Sequence, residues 1–110
     1  MVMKEIRAYI QPHKLNQLTM ALMEIPDFPG MSIMDCEGFG RERTEHVQDY
    51  KPFLAKKRIE IFAPEHLVET IFQTIMQVAH SGHHGDGKVY IVEAVAGGRI
   101  STGERDADLG

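Results

Sequence analysis

The chain has 110 residues, of which 43% are hydrophobic and 25% charged, with a net charge of −4 at pH 7. That length supports one domain with its own core, and the acidic balance excludes a protein drawn to nucleic acid by its bulk charge. A lone cysteine, Cys36, excludes an internal disulfide and fits a reducing, cytoplasmic setting.

In chain order, Lys4–Ile10 alternates, with Ile6, Ala8 and Ile10 on one side and Glu5, Arg7 and Tyr9 on the other. Period two predicts a strand, and Pro12 closes it. The stretch "MVMKEIRAYI" lacks the apolar run of a secretion signal, and no segment approaches the ~20 apolar residues that span a bilayer. From Leu15 to Ile25, apolar residues recur at three- and four-residue steps (Leu15, Leu18, Leu22, Ile25) and predict an amphipathic helix. "PDFPG" stops it and turns the chain. "MSIMDCEGF" predicts a second strand, with Cys36 a half-buried structural thiol. A polar loop follows from about Arg41. "KKRIEIF", Lys56–Phe62, predicts a third strand. Pro64 opens a second helix with Leu67, Ile71, Ile75 and Val78 as its apolar face. After the glycine-rich "HSGHHGDGK", Lys88–Val95 predicts the last strand, and "GGRISTGERDADLG" is a polar, glycine-rich tail.

The order strand-helix-strand, loop, strand-helix-strand is internally repeated. "RAYIQPHKLNQL" and "IEIFAPEHLVET" share a strand, a proline, two polar residues and a helix-opening leucine. This points to an α+β, ferredoxin-like βαββαβ domain spanning residues 1–110, with a four-stranded antiparallel sheet and two helices on one face. The other face, carrying Ile6, Ala8, Ile10, Ile59 and Ile61 or their neighbours according to register, would be left uncovered. An apolar sheet face of that kind calls for a second subunit.

The segment His80–Lys88 admits two chemistries. His80, His83 and His84, with His46 from the polar loop, could hold a transition metal, although the spacing matches no ligand motif and exposed loop histidines are the commoner arrangement. His13 and His66 read as surface positions. Alternatively, "GDGK" can turn successive N–H groups toward an anion, with Lys88 adding charge. "EGFGR" and "GRISTGER" repeat the pairing of glycine with a cation, at Arg41 and Arg99. Three such elements suggest a diphosphate or triphosphate site assembled from separate loops.

These motifs resemble the nitrogen-regulatory P-II signalling family over nearly the whole chain. "KEIRAYIQPHKL" resembles its opening strand and helix start, "GMSIMDCEGFGR" the approach to its T-loop, and "KRIEI" the strand after that loop. "GDGKVYI" resembles its phosphate-binding B-loop and "RISTGER" its C-terminal loop. The resemblance implies a homotrimer with adenine nucleotides, ADP or ATP, with or without magnesium, in the clefts between subunits. It implies that Ser32, Gly40, Arg41, Phe62, Gly85, Asp86, Gly87, Lys88 and Arg99 line that site. It further implies that a flexible loop, 41–55, reports to a partner protein such as a membrane transporter, with residues 97–110 as C-terminal loop and tail and no catalytic role. A metal-responsive protein on the same scaffold, using the four histidines, is the rival reading. A weak nucleotide hydrolase, with Asp86 or Glu42 orienting water, is a third.

Three departures from the family pattern stand out. Glu42 replaces the glutamine of "GFGRQ" that helps hold magnesium and 2-oxoglutarate. Like charges ~4 Å apart cost roughly 1 kcal/mol in water and ~4 kcal/mol at an effective dielectric of about 20. The expectation is therefore that 2-oxoglutarate is not an effector, although magnesium bridging the carboxylates would offset part of the repulsion. Ser101 replaces a phosphate-clamping arginine. The loop before Lys56 is several residues shorter than the usual T-loop, and Tyr50 lacks the context of the tyrosine that is uridylylated in some members.

Overall fold

The computed structural model describes residues 3–38 and 53–106. Strand β1 (Met3–Ile10) leads through a 3-10 turn at Pro12–Lys14 into helix α1 (Leu15–Met23). Strand β2 (Ser32–Gly38) follows, then β3 (Leu54–Pro64), helix α2 (Glu65–Val78) and β4 (Gly87–Glu93). All pairings are antiparallel and the sheet order is β2-β3-β1-β4. The ferredoxin-like architecture expected from the element order is the one observed. Most of the expected signalling loop, Arg41–Pro52, lies outside the described residues. Its expected far end does not: Leu54 and Ala55 already pair with Gly38 and Glu37, so β3 takes in the last two residues of the expected loop.

Register decides which sheet face meets the helices. Ile6 stands opposite Ile61 and Ala8 opposite Ile59. These four and Ile10 are essentially inaccessible to solvent, packed with Leu18 and Leu22 of α1 and Val68, Ile71 and Ile75 of α2. Leu15, Ile25, Leu67 and Val78 pack at the margin of this core. Turning these aliphatic faces away from water drives the assembly of the two layers.

The helix-free face is therefore not the isoleucine face. It carries the alternate residues: Glu5, Arg7 and Tyr9 of β1, Arg58, Glu60 and Phe62 of β3, and Lys88, Tyr90 and Val92 of β4. Its charges are largely matched within strands. Arg7 donates two hydrogen bonds to Glu5, at 2.9 and 2.6 Å, and Arg58 donates to Glu60 at 2.6 Å. The Arg58 guanidinium also lies 5.8 Å from the centre of the Tyr9 ring, within cation–π range. The expectation of a bare aliphatic face is corrected, because pleating sends those side chains to the helices. What remains open is a mosaic of ion pairs and aromatic rings, with Phe62 and Tyr90 both about half exposed.

Gly87 fixes how β4 joins this sheet. It pairs with Ile10 at a φ of +108°, and a Cβ there would lie 1.7 Å from the Tyr9 carbonyl oxygen. Only glycine tolerates both the dihedral and the approach. Gly87→Ala should therefore destabilise the fold by about 3 kcal/mol or more, since backbone must move to relieve the clash. Chemical denaturation checks this, with a large drop in midpoint expected.

Candidate functional site

The loop from His80 to Lys88 is braced from inside. The Asp86 carboxylate accepts hydrogen bonds from the backbone N–H of Ser81 at 2.7 Å and of Gly82 at 3.0 Å. The Ser81 hydroxyl donates to the same carboxylate, and lies 3.2 Å from Nδ1 of His83. His80 Nδ1 stands 3.9 Å from Asp86. These bonds, chiefly the Ser81 hydroxyl's, hold the Asp86 carboxyl well below the usual aspartate range. The loop does collect amide donors, as the glycines suggested, but the anion that Ser81 and Gly82 bind is the loop's own aspartate. Asp86 thus braces the loop from within.

Past Asp86 the chain enters β4, and Lys88 projects from it on the helix-free face, opposite Tyr9. Lys88 is exposed and, among the described residues, its ammonium has no ion pair or hydrogen bond. A second cation, Lys56 of β3, donates from Nζ to the Gly85 carbonyl and ties the loop to the strand that follows residues 39–52. Cys36 is half-buried, as expected, with Sγ 3.6 Å from the Lys56 carbonyl.

At the other end of the sheet lies a cleft of about 630 Å³. Its walls include Met31, Ser32, Glu60, Phe62, Val95 and Gly98. Gly30, at a φ of +102°, turns the chain into this wall. Beyond the cleft the tail is not a loose polar segment. Residues 97–106 fold back as a tight hairpin in which Gly98 pairs with Arg105. The Arg99 N–H donates to the Glu104 carbonyl at 2.9 Å, and the Asp106 N–H to that of Gly97 at 2.8 Å. Asp106 also accepts from the Gly97 N–H at 3.0 Å through its side chain.

The expected nucleotide residues therefore form two groups in one chain. Ser32 and Phe62 line the cleft, with Arg99 in the adjoining hairpin; Gly85, Asp86, Gly87 and Lys88 lie at the far end. Phe62 pairs with Glu5 and Lys88 with Tyr9. That is four residues along β1 and two strands across, roughly 16 Å between Cα atoms at ordinary strand spacings. Gly40 and Arg41 lie outside the described residues, as do Glu42, His46 and Tyr50. No three His, Cys, Asp or Glu side chains among the described residues could hold a metal together. His13 and His66 are exposed. Also among the described residues, no helix is long and apolar enough to cross a membrane.

Sequence reasoning missed Lys56, Ser81 and Glu104. Lys56 reads as one of three cations in "KKR", and only the sheet register brings it beside Gly85. The spacing of Ser81 to Asp86 did carry a signal, since a serine and an aspartate flanking a glycine-rich turn commonly bond across it.

Residues 3–104 match the family model described as nitrogen regulatory protein P-II. Nitrogen regulatory protein P-II 1 of Escherichia coli is 38% identical over 94% of this chain and 96% of its own length. Nitrogen regulatory protein P-II of Azospirillum brasilense is 37% identical over 96% and 98%. Among solved structures, Arabidopsis thaliana PII bound to citrate superposes with a TM-score of 0.77. It is 30% identical, over 94% of this chain and 88% of that one.

The bracing of the glycine loop has a pH signature. A depressed carboxyl stabilises the folded state above the unfolded aspartate value, and that contribution is lost only as pH falls through the lower folded value. Followed by NMR, the Asp86 carboxyl should titrate well below the ~3.9 of a free aspartate. Ser81→Ala should move it back up and weaken amide protection at Gly82.

Proposed function

The chain belongs to the nitrogen regulatory protein P-II family, a family of regulatory signal transducers, and from that premise we propose that it binds ADP or ATP, with or without magnesium, in clefts between the subunits of a homotrimer. Nucleotide occupancy sets the state of the loop 41–55, which docks on a partner protein such as a membrane transporter in the cytoplasm. The observation that carries this reading is Lys88. It is an ammonium with no internal partner among the described residues, beside a glycine loop, on the same sheet face as Ser32 and Phe62.

The separation of the two groups of residues supports a shared site. The cleft beside Phe62 offers an apolar wall for a base, with Ser32 and Glu60 as polar groups. Lys88 offers a point charge for phosphate. Placed face to face, the cleft of one subunit and the Lys88 end of the next would supply base and phosphate contacts together. The helix-free mosaic of matched ion pairs and aromatic rings suits burial between copies, because its charges are already neutralised. The family resemblance adds Gly40 and Arg41 to this site.

Two measurements test the reading. Light scattering should give a mass near three subunits at micromolar concentration, and a stable monomer would remove the shared cleft. A charge-assisted phosphate contact is worth about 1.5–3 kcal/mol. Lys88→Ala should therefore weaken ADP or ATP binding roughly ten- to a hundredfold by calorimetry. The His83→Ala/His84→Ala double variant should leave it nearly unchanged. The opposite pattern would favour the histidines as the functional groups.

A further inference from the structure

The C-terminal hairpin carries two cations, and each faces an acid of the same hairpin. Arg99 Nε lies 3.4 Å from Oε1 of Glu104, and Arg105 Nε 3.0 Å from Oδ2 of Asp106. The first pair is held in place from several sides. The backbone N–H of Arg99 donates to the Glu104 carbonyl, and the Gly103 N–H to the Arg99 carbonyl at 2.8 Å, so the two residues stand opposite each other across the turn. Thr102 Oγ1 donates to the same Oε1 of Glu104 at 2.8 Å and also accepts from the Glu104 N–H at 3.2 Å. Thr102 thus aims the carboxylate at the guanidinium. Both side chains are close to half exposed, so a soluble anion can reach them.

We propose that Glu104 is a built-in competitor for Arg99: its carboxylate occupies the guanidinium until a phosphate-bearing ligand displaces it. The inference rests on the nucleotide reading above and adds a residue that lowers affinity. Its physical basis is exchange. A guanidinium binds carboxylate and phosphate through the same N–H donors, so ligand affinity is reduced by whatever the internal pair contributes. Exposed pairs contribute little, which limits the effect to a few-fold. That is enough to let binding respond to ligand charge. A triphosphate displaces the carboxylate more readily than a monophosphate does. Ser101, adjacent to this pair and carrying no charge, leaves Arg99 without a second cation at that position.

The test is calorimetry with ATP, ADP and AMP on the full chain, comparing the unmodified protein with Glu104→Gln, Arg99→Ala and the double variant. Glutamine keeps the length and can still accept from Thr102, and circular dichroism melts report whether the fold is unchanged. Glu104→Gln is expected to tighten ATP binding about two- to fivefold, a range matching an exposed ion pair. The gain should be smaller for AMP and absent when Arg99 is alanine. If Glu104→Gln binds ATP equally or more weakly while the unmodified protein binds it well, Glu104 positions Arg99 or is idle. The competitor is then refuted and the nucleotide reading stands. If neither the unmodified protein nor Glu104→Gln binds any of the three nucleotides, the nucleotide reading fails and the competitor fails with it.

Discussion

Strand β1 is the constraint on which everything else depends. It pairs with β3 on one side and β4 on the other, and its alternation divides the molecule into two chemistries. Ile6, Ala8 and Ile10 point into the helices, while Glu5, Arg7 and Tyr9 point to the open face. A slip of one residue would exchange the two sets. It would place Glu5 and Arg7 among Leu18, Ile71 and Ile75, at the cost of burying charge in an aliphatic core. Register is therefore strongly determined, and with it the positions of Lys88, Phe62 and Ser32 on one face. Gly87 adds a second lock, since only a residue without Cβ can approach the Tyr9 carbonyl so closely.

The charges show a second principle. Most cations on or near the open face are answered by a neighbour: Arg7 by Glu5, Arg58 by Glu60, Arg99 by Glu104, Arg105 by Asp106. Lys56 is answered by a carbonyl. Self-neutralised pairs are poor attractors, because an incoming ligand must break an existing contact before making its own. Against this background a lysine without such a partner stands out more than the number of cations would suggest. The same logic applies to Asp86. Its three hydrogen bonds to Ser81 and Gly82 make it a brace, and they explain why a loop with three histidines and three glycines takes a defined shape.

Much of this was legible in the sequence, and the parts that were not share a cause. Period-two and period-3.6 patterns placed all four strands and both helices, because those patterns are consequences of one-sided burial. Strand ends were less legible. β3 extends to Leu54 and Pro64, since its partners β2 and β1 continue that far, and partner length is not a local property. The sheet face was ambiguous for the same reason: alternation shows that two faces differ, not which one the helices cover. Of the candidate site, glycine-plus-cation motifs marked segments that the fold places at the two ends of one sheet face. They could not show that the glycine loop is closed on its own aspartate, or that Arg99 already faces Glu104. Both are cross-turn contacts, visible only once the backbone reverses.

This division bears on how such a small protein can carry a signal. The core uses Ile6, Ala8, Ile59 and Ile61 toward the helices, and none of the candidate ligand residues belongs to it. The cleft and the glycine loop are instead built from turns and strand ends, where free-energy differences between conformers are small. Lys56 joins two of these weak points. Its backbone lies in β3, two residues past the start of the strand that follows residues 39–52, and its ammonium holds the Gly85 carbonyl. Under the nucleotide reading proposed above, a ligand that pulls on the glycine loop would act on the start of β3 through this side chain and not through the core. Coupling of this kind requires only that the ligand favour one arrangement of the tether over another. The core can remain rigid while the loops exchange partners, and under that reading Lys56 and Glu104 are the partners available for exchange.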